Sequence, residues 1–195
     1  MNRIFRLAFV SLIFNMAFAA YHVIFGVLTE SWWLLTAGVY YAILSVLRFY
    51  VILARSQNGV IIRFVGAMLM LLTLPLVGTV VLAVERNRGH LVHEILMIGM
   101  AVYSFTKITL AIINMIKLRR STSDKLVALR SISFADACVS IFSLQRSMLT
   151  TFGNMSEVSI RIFNAALGSA VCIVVFLLGL NLVRSKKMLY STLNK

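Results

Sequence analysis

YYAILSVLRFYVILARSQNGVIIRFVGAMLMLLTLPLVGTVVLAVERNR, residues 40–88, returns in outline 98 residues later as CVSIFSLQRSMLTTFGNMSEVSIRIFNAALGSAVCIVVFLLGLNLVRSK, residues 138–186. Laid over each other without a gap, the two stretches agree at eleven of 49 positions. Aliphatic identities such as Ile43/Ile141 and Leu69/Leu167 carry little weight, because an apolar alphabet matches itself easily. Arginines inside hydrophobic segments are scarce, so Arg48/Arg146 and Arg63/Arg161 carry most of it, with Ser45/Ser143 and Arg86/Arg184 in support. A repeat at a fixed offset constrains the whole architecture. Here it is expected to mean a membrane protein made of two similar halves.

Working outward, the chain resolves into six apolar segments: 7–28, 32–54, 60–84, 95–116, 131–152 and 158–183. Each suits the roughly 20 residues that a helix needs to cross a hydrocarbon core about 30 Å thick. Of the 195 residues, 61% are hydrophobic and 13% charged, against about a quarter charged in soluble domains. The connections are short and leave no room for a soluble domain. The expected fold is therefore a single all-α integral membrane domain, residues 1–195, with six transmembrane helices. Its two halves, about 1–88 and 89–195, would each hold three helices. An odd number of spans per half forces the halves into opposite orientations, the inverted repeat of many transporters. The first segments match only weakly, Met16-Ala17 with Met100-Ala101 at an offset nearer 84, because the second half has the longer connection between its first two helices.

A net charge of +13 raises nucleic acid as a partner, but the placement of the bases argues against it. They gather at alternate connections: Arg3 and Arg6, then Arg55, then Lys117, Arg119, Arg120, Lys125 and Arg130, then Arg184, Lys186, Lys187 and Lys195. The intervening connections have little net positive charge. This is the positive-inside pattern. It puts both termini in the cytoplasm of a bacterial-type plasma membrane, with the bases toward anionic lipid headgroups. Met1–Ala20 has a basic start and an Ala17-Phe18-Ala19 site resembling a signal peptide. The apolar run continues to Leu28, longer than a signal h-region, so an uncleaved first span is expected. Cys138 and Cys172 both lie in spans and read as small packing residues.

Ionisable residues inside the apolar core are costly and mark functional positions by default. Lys107 lies near the centre of the fourth span. Asp136 is about one turn into the fifth from the cytoplasmic side. They have opposite charge on consecutive helices, and a Lys107–Asp136 pair is the leading expected contact. Arg48 and Arg63 are expected to snorkel to the cytoplasmic interface. Arg146 and Arg161 should lie symmetrically near the outer face, where positive-inside statistics do not explain them. Arg161 has Glu157 four residues earlier as a helical partner; Arg146 has no such neighbour in the sequence. Asn15, Tyr21, His22, Asn114, Gln145, Asn164 and Asn181 are the other polar span residues, with interhelical hydrogen bonding as their simplest role. Pro75 lies near the middle of the third span, where proline removes a backbone hydrogen bond and can kink a helix, and 121–130 is expected as a short interfacial helix or an extension of the fifth. Trp32 and Trp33 fit an outer aromatic belt.

His90, His93 and Glu94 are weak metal candidates. Their order matches neither H-E-x-x-H nor H-x-x-E-H, so no metal or other cofactor is expected. Three functions fit the pattern. The first is a small transporter or channel for an anionic solute or phospholipid headgroup. It would use Lys107 and Asp136 as a midplane gate, with Arg48, Arg63, Arg146 and Arg161 at the vestibules. The second is a non-catalytic assembly, sensor or immunity-type subunit. It would meet a membrane partner, or a second copy, through the small-residue run Ala165-Ala166-Leu167-Gly168-Ser169-Ala170 and the basic connection between the fourth and fifth segments. The third, an intramembrane lipid-modifying enzyme, ranks last because its candidate groups are scattered.

Overall fold

The computed structural model describes residues 2–28, 30, 32–54, 59–85, 94–117, 123–152 and 156–193. They form six helices: α1 (Asn2–Leu28), α2 (Trp32–Leu53), α3 (Val60–Glu85), α4 (Glu94–Lys117), α5 (Asp124–Phe152) and α6 (Glu157–Leu193). Each helix overlaps one of the six apolar segments, but α1 and α5 start before theirs and α6 runs on past its own to Leu193. Four are long and apolar enough to cross a membrane: α2, α3, α5 and α6. In α1 and α4 the qualifying described stretches are shorter, Asn15–Leu28 and Ser104–Ile113.

Local chemistry sets the helix ends. Ser156 caps α6, its hydroxyl accepting from the Ser159 backbone N–H at 3.3 Å, the usual N-cap bond three residues on. Asp124 opens α5, so the 121–130 stretch resolves on its described part as an extension of α5. The Asp124 carboxylate accepts from the Gly59 backbone N–H at 2.8 Å. Gly59 sits at φ 71°, a conformation glycine adopts without steric cost. This bond ties the turn before α3 to the start of α5. Asp124→Ala strands a buried donor and is expected to cost about 1–3 kcal/mol. Asp124→Asn, which keeps an acceptor oxygen, should retain most of the stability; thermal unfolding in detergent compares them. Pro75 does not end α3, which runs unbroken from Val60 to Glu85.

The helices pack as two rows, α1–α2–α3 and α4–α5–α6. The rows meet through α2 with α5, α3 with α5 and, most extensively, α3 with α6. Gly66 and Gly179 cross there: a Cβ built on either would come within 2.8 Å of the other's carbonyl oxygen. At the opposite end the rows diverge. α1 packs on α2 and α4 on α5, with no extended α1–α4 packing among the described residues.

α5 touches α2, α3, α4 and α6. It is the most buried of the four apolar helices and has the lowest mean hydropathy, 1.5. Polar residues thus occupy the centre, among them Ser131, Asp136, Ser140, Ser143, Arg146 and Ser147. Large apolar residues such as Met16, Val46, Leu74, Phe105, Ile162 and Leu177 face outward. Soluble monomers rarely expose apolar surface on that scale. Hydrocarbon favours such an arrangement, because polar groups in a bilayer must find partners inside the protein.

Candidate functional site

Asp136 is the one acidic residue in the interior of any of the six apolar segments, and it is 2% exposed. Its Oδ1 accepts from Lys107 Nζ at 2.9 Å. Its Oδ2 accepts from Asn15 Nδ2 at 2.9 Å and from an Arg48 Nη2–H at 3.4 Å. The Asn15 carbonyl oxygen in turn accepts from Lys107 Nζ at 2.8 Å. Asn15 suits this position because its amide turns a donor to the carboxylate and an acceptor to the ammonium. Serine hydroxyls add to the shell: Ser140 Oγ accepts from Lys107 at 3.5 Å, and Ser133 Oγ from Arg48 at 3.4 Å.

Four helices therefore converge on one carboxylate: α1 through Asn15, α2 through Arg48, α4 through Lys107, and α5 through Asp136. The geometry follows from helical spacing. Asp136 and Ser140 are four residues apart on one face of α5, and Ser133 is three before. Lys107 has a flexible stem that reaches the carboxylate from mid-α4. Its Nζ also lies 5.4 Å from the centre of the Tyr41 ring, within cation–π range. Tyr41 is hydrogen-bonded with Ser140 and Ser143. His22 packs its ring against Phe18 and Tyr41 and donates from Nδ1 to the Phe18 carbonyl oxygen at 2.9 Å. Polar and aromatic groups thus continue from the ion centre toward the far end of α1.

Electrostatically the centre is uneven, with two cations facing one carboxylate. Lys107 holds the shorter contact at 2.9 Å, Arg48 the longer at 3.4 Å. Lys107 is also the more accessible, its side chain 11% exposed against 1% for Arg48.

The structure brings the expected pair Lys107 and Asp136 together and corrects the expectation for Arg48. That side chain does not snorkel to an interface. It is 1% exposed, because turning inward to Asp136 offers a charge-assisted bond. Arg146 is likewise buried, at 4% exposure, ten residues along α5 from Asp136 or ~15 Å at helical rise. Arg63 and Arg161 are exposed and do not join the centre. The ion pairs of the described residues do not include Glu157–Arg161; both side chains face outward. His90 and His93 lie outside the described residues, as does the side chain of Glu94. Cys138 and Cys172 are free and pack against the core.

The sequence marks Asn15 and His22 as polar span residues but does not assemble them. It did not single out Ser133 or Ser140, which carry no signal apart from their spacing around Asp136. No known protein family, curated protein or solved structure matches this chain.

Proposed function

We propose that this chain is a small six-span membrane transporter of two inverted three-helix halves, with both termini cytoplasmic. It would handle an anionic solute or a phospholipid headgroup. The observation that carries the proposal is the membership of the ion centre. Asn15 and Arg48 come from the first half; Lys107 and Asp136 come from the second, and their bonds cross between the rows. Ionisable groups inside spans mark solute and proton pathways, and a polar link between halves is a natural gate for alternating access. The excess of cations over acids suits an anionic cargo. Bases at the cytoplasmic connections would hold anionic lipids there.

Contact registers support the inverted halves. Across α2 and α5, Arg48 meets Ser133 and Asp136 while Tyr41 meets Ser140 and Ser143. The helices are antiparallel, and this register brings Ala42 roughly opposite Ser140 at the helical rise. Across α3 and α6, Gly66 meets Gly179 and Leu182 while Gly168 meets Val80, which brings Pro75 roughly opposite Ile173. Ala42 and Ser140 are 98 residues apart, and so are Pro75 and Ile173, the offset of the sequence repeat. A twofold axis in the membrane plane requires this: matched residues meet where the axis passes. Both crossings fall near the middle of their helices.

Flux in proteoliposomes tests the function. The purified chain is expected to move phosphate, or to flip a fluorescent phosphatidylglycerol, above protein-free vesicles. Lys107→Met should slow that by about tenfold or more, the rate equivalent of losing one charge-assisted hydrogen bond. No flux of either cargo by folded protein would overturn the proposal. The subunit reading has one observation of its own: Ala165, Ala166, Ser169 and Ala170 face outward on α6, a surface that lets another helix approach closely. A stoichiometric co-purifying membrane protein, together with absent flux, would select it.

A further inference from the structure

The geometry points to a phosphate-type oxyanion site at the seam between α1 and α4, with Lys107 as its entrance ligand and Arg48 behind it. The Asp136 carboxylate holds that place while the site is empty. Three observations converge there. The rows are clamped at α3–α6 by the Gly66–Gly179 crossing and diverge at α1–α4, where the bridge is a side-chain contact, Asn15 to Lys107 at 2.8 Å. The ion centre lies at the base of this seam. Lys107, the member on α4, is the more accessible of its two cations.

The second observation is charge. Two cations meet one carboxylate, so the centre carries one excess positive charge in a low-dielectric setting where net charge is costly. A monoanion entering the seam neutralises it. The third is the geometry of the donors. Lys107 Nζ, Asn15 Nδ2 and Arg48 Nη2 already converge on the two oxygens of one carboxylate. The same donors fit two oxygens of a phosphate, which ammonium and guanidinium groups bind well. An arriving phosphate would take Lys107 from Asn15 and Arg48 from Asp136, and losing these two bonds, which cross between the rows, would loosen the link. A headgroup that reached Lys107 from the side would keep its acyl chains in the bilayer. The oxyanion chemistry is the same for a lipid phosphodiester and for free phosphate. This inference deepens the transport proposal by naming the site and its ligand class, and it rests on the same ion centre.

The test is chemical rescue in nanodiscs. Asp136→Ala removes the resident carboxylate and leaves both cations, so added anion should stabilise this variant more than the wild type. Its melting temperature is expected to rise with inorganic phosphate in phosphatidylcholine discs, or with phosphatidylglycerol in the discs. A response to phosphate alone identifies a soluble anion; a response to phosphatidylglycerol alone identifies the headgroup. Adding Lys107→Met to Asp136→Ala should weaken the apparent affinity about tenfold or more, as expected for one lost ionic contact, whereas Lys107→Arg should retain it. If Asp136→Ala does not fold, Asp136→Asn and the wild type are titrated in the same way, with Lys107→Met as the control. No response to either anion in any folded variant overturns the site, as does a response that Lys107→Met leaves intact. Binding with no flux keeps the site and removes the transport proposal; flux with no binding does the reverse.

Discussion

Asp136→Ala is expected to lower the stability of the folded chain by about 3–5 kcal/mol, the range for breaking a buried ion pair from one side. The large effect comes from what remains. Lys107 and Arg48 would face each other as like charges with no carboxylate between them. Asn15 would also lose the acceptor at 2.9 Å that fixes its amide. The loss should therefore be partly recovered by removing a cation. Asp136→Asn combined with Lys107→Met should be less destabilised than the sum of the two single variants. A double-mutant cycle in reversible detergent unfolding measures this. Coupling below about 0.5 kcal/mol, the level seen for independent sites, would show that the two residues do not act as a pair.

Gly66→Ala is expected to cost about 1–3 kcal/mol, as overpacking does in a filled interior, and Gly66→Leu more. The new Cβ would sit 2.8 Å from the Gly179 carbonyl oxygen and 3.0 Å from the Leu182 Cβ. Backbone cannot swing aside as a side-chain tip can, so α3 and α6 must move apart. Gly179→Ala meets the Gly66 carbonyl oxygen at 2.8 Å and the Met70 backbone at 3.1 Å, and should behave alike. Gly78 is the internal control. A Cβ there finds nothing within 4 Å, so Gly78→Ala should be neutral or stabilising by up to about 1 kcal/mol through helix propensity. Melting temperatures of the three variants in one detergent compare them directly. Equal effects at Gly66 and Gly78 would mean that the α3–α6 crossing is not a tight contact.

Both predictions concern links between the rows, where the sequence was least informative. It yielded the six helices and their approximate ends, because a run of apolar residues long enough to cross hydrocarbon is a one-dimensional property. The starts of α2 at Trp32 and of α3 at Val60 are of this kind. The sequence also marked Lys107 and Asp136, because a charge amid apolar residues stands out locally and opposite charges on consecutive helices have an obvious partner. It misjudged Arg48. A long cation near a span end has two satisfactory outcomes, water at the interface or an internal acid, and the choice depends on how α2 is rotated against α5. Arg146 is buried too, and its burial depends in the same way on how α5 is rotated against its neighbours.

What the sequence by itself determined is the six-helix, all-α layout, the surplus of positive charge and the residues too polar for their surroundings. These follow from composition and period, which need no neighbour to be read. Only the tertiary structure decided that Asn15, Arg48, Lys107 and Asp136 share one centre, that Gly66 meets Gly179, and that α5 is central. Those facts depend on the rotation and register of each helix about its own axis. They are fixed by contacts between residues as far apart as Asn15 and Asp136, 121 positions along the chain. Helical periodicity limits which residues can share a face, but only packing selects the face that turns inward.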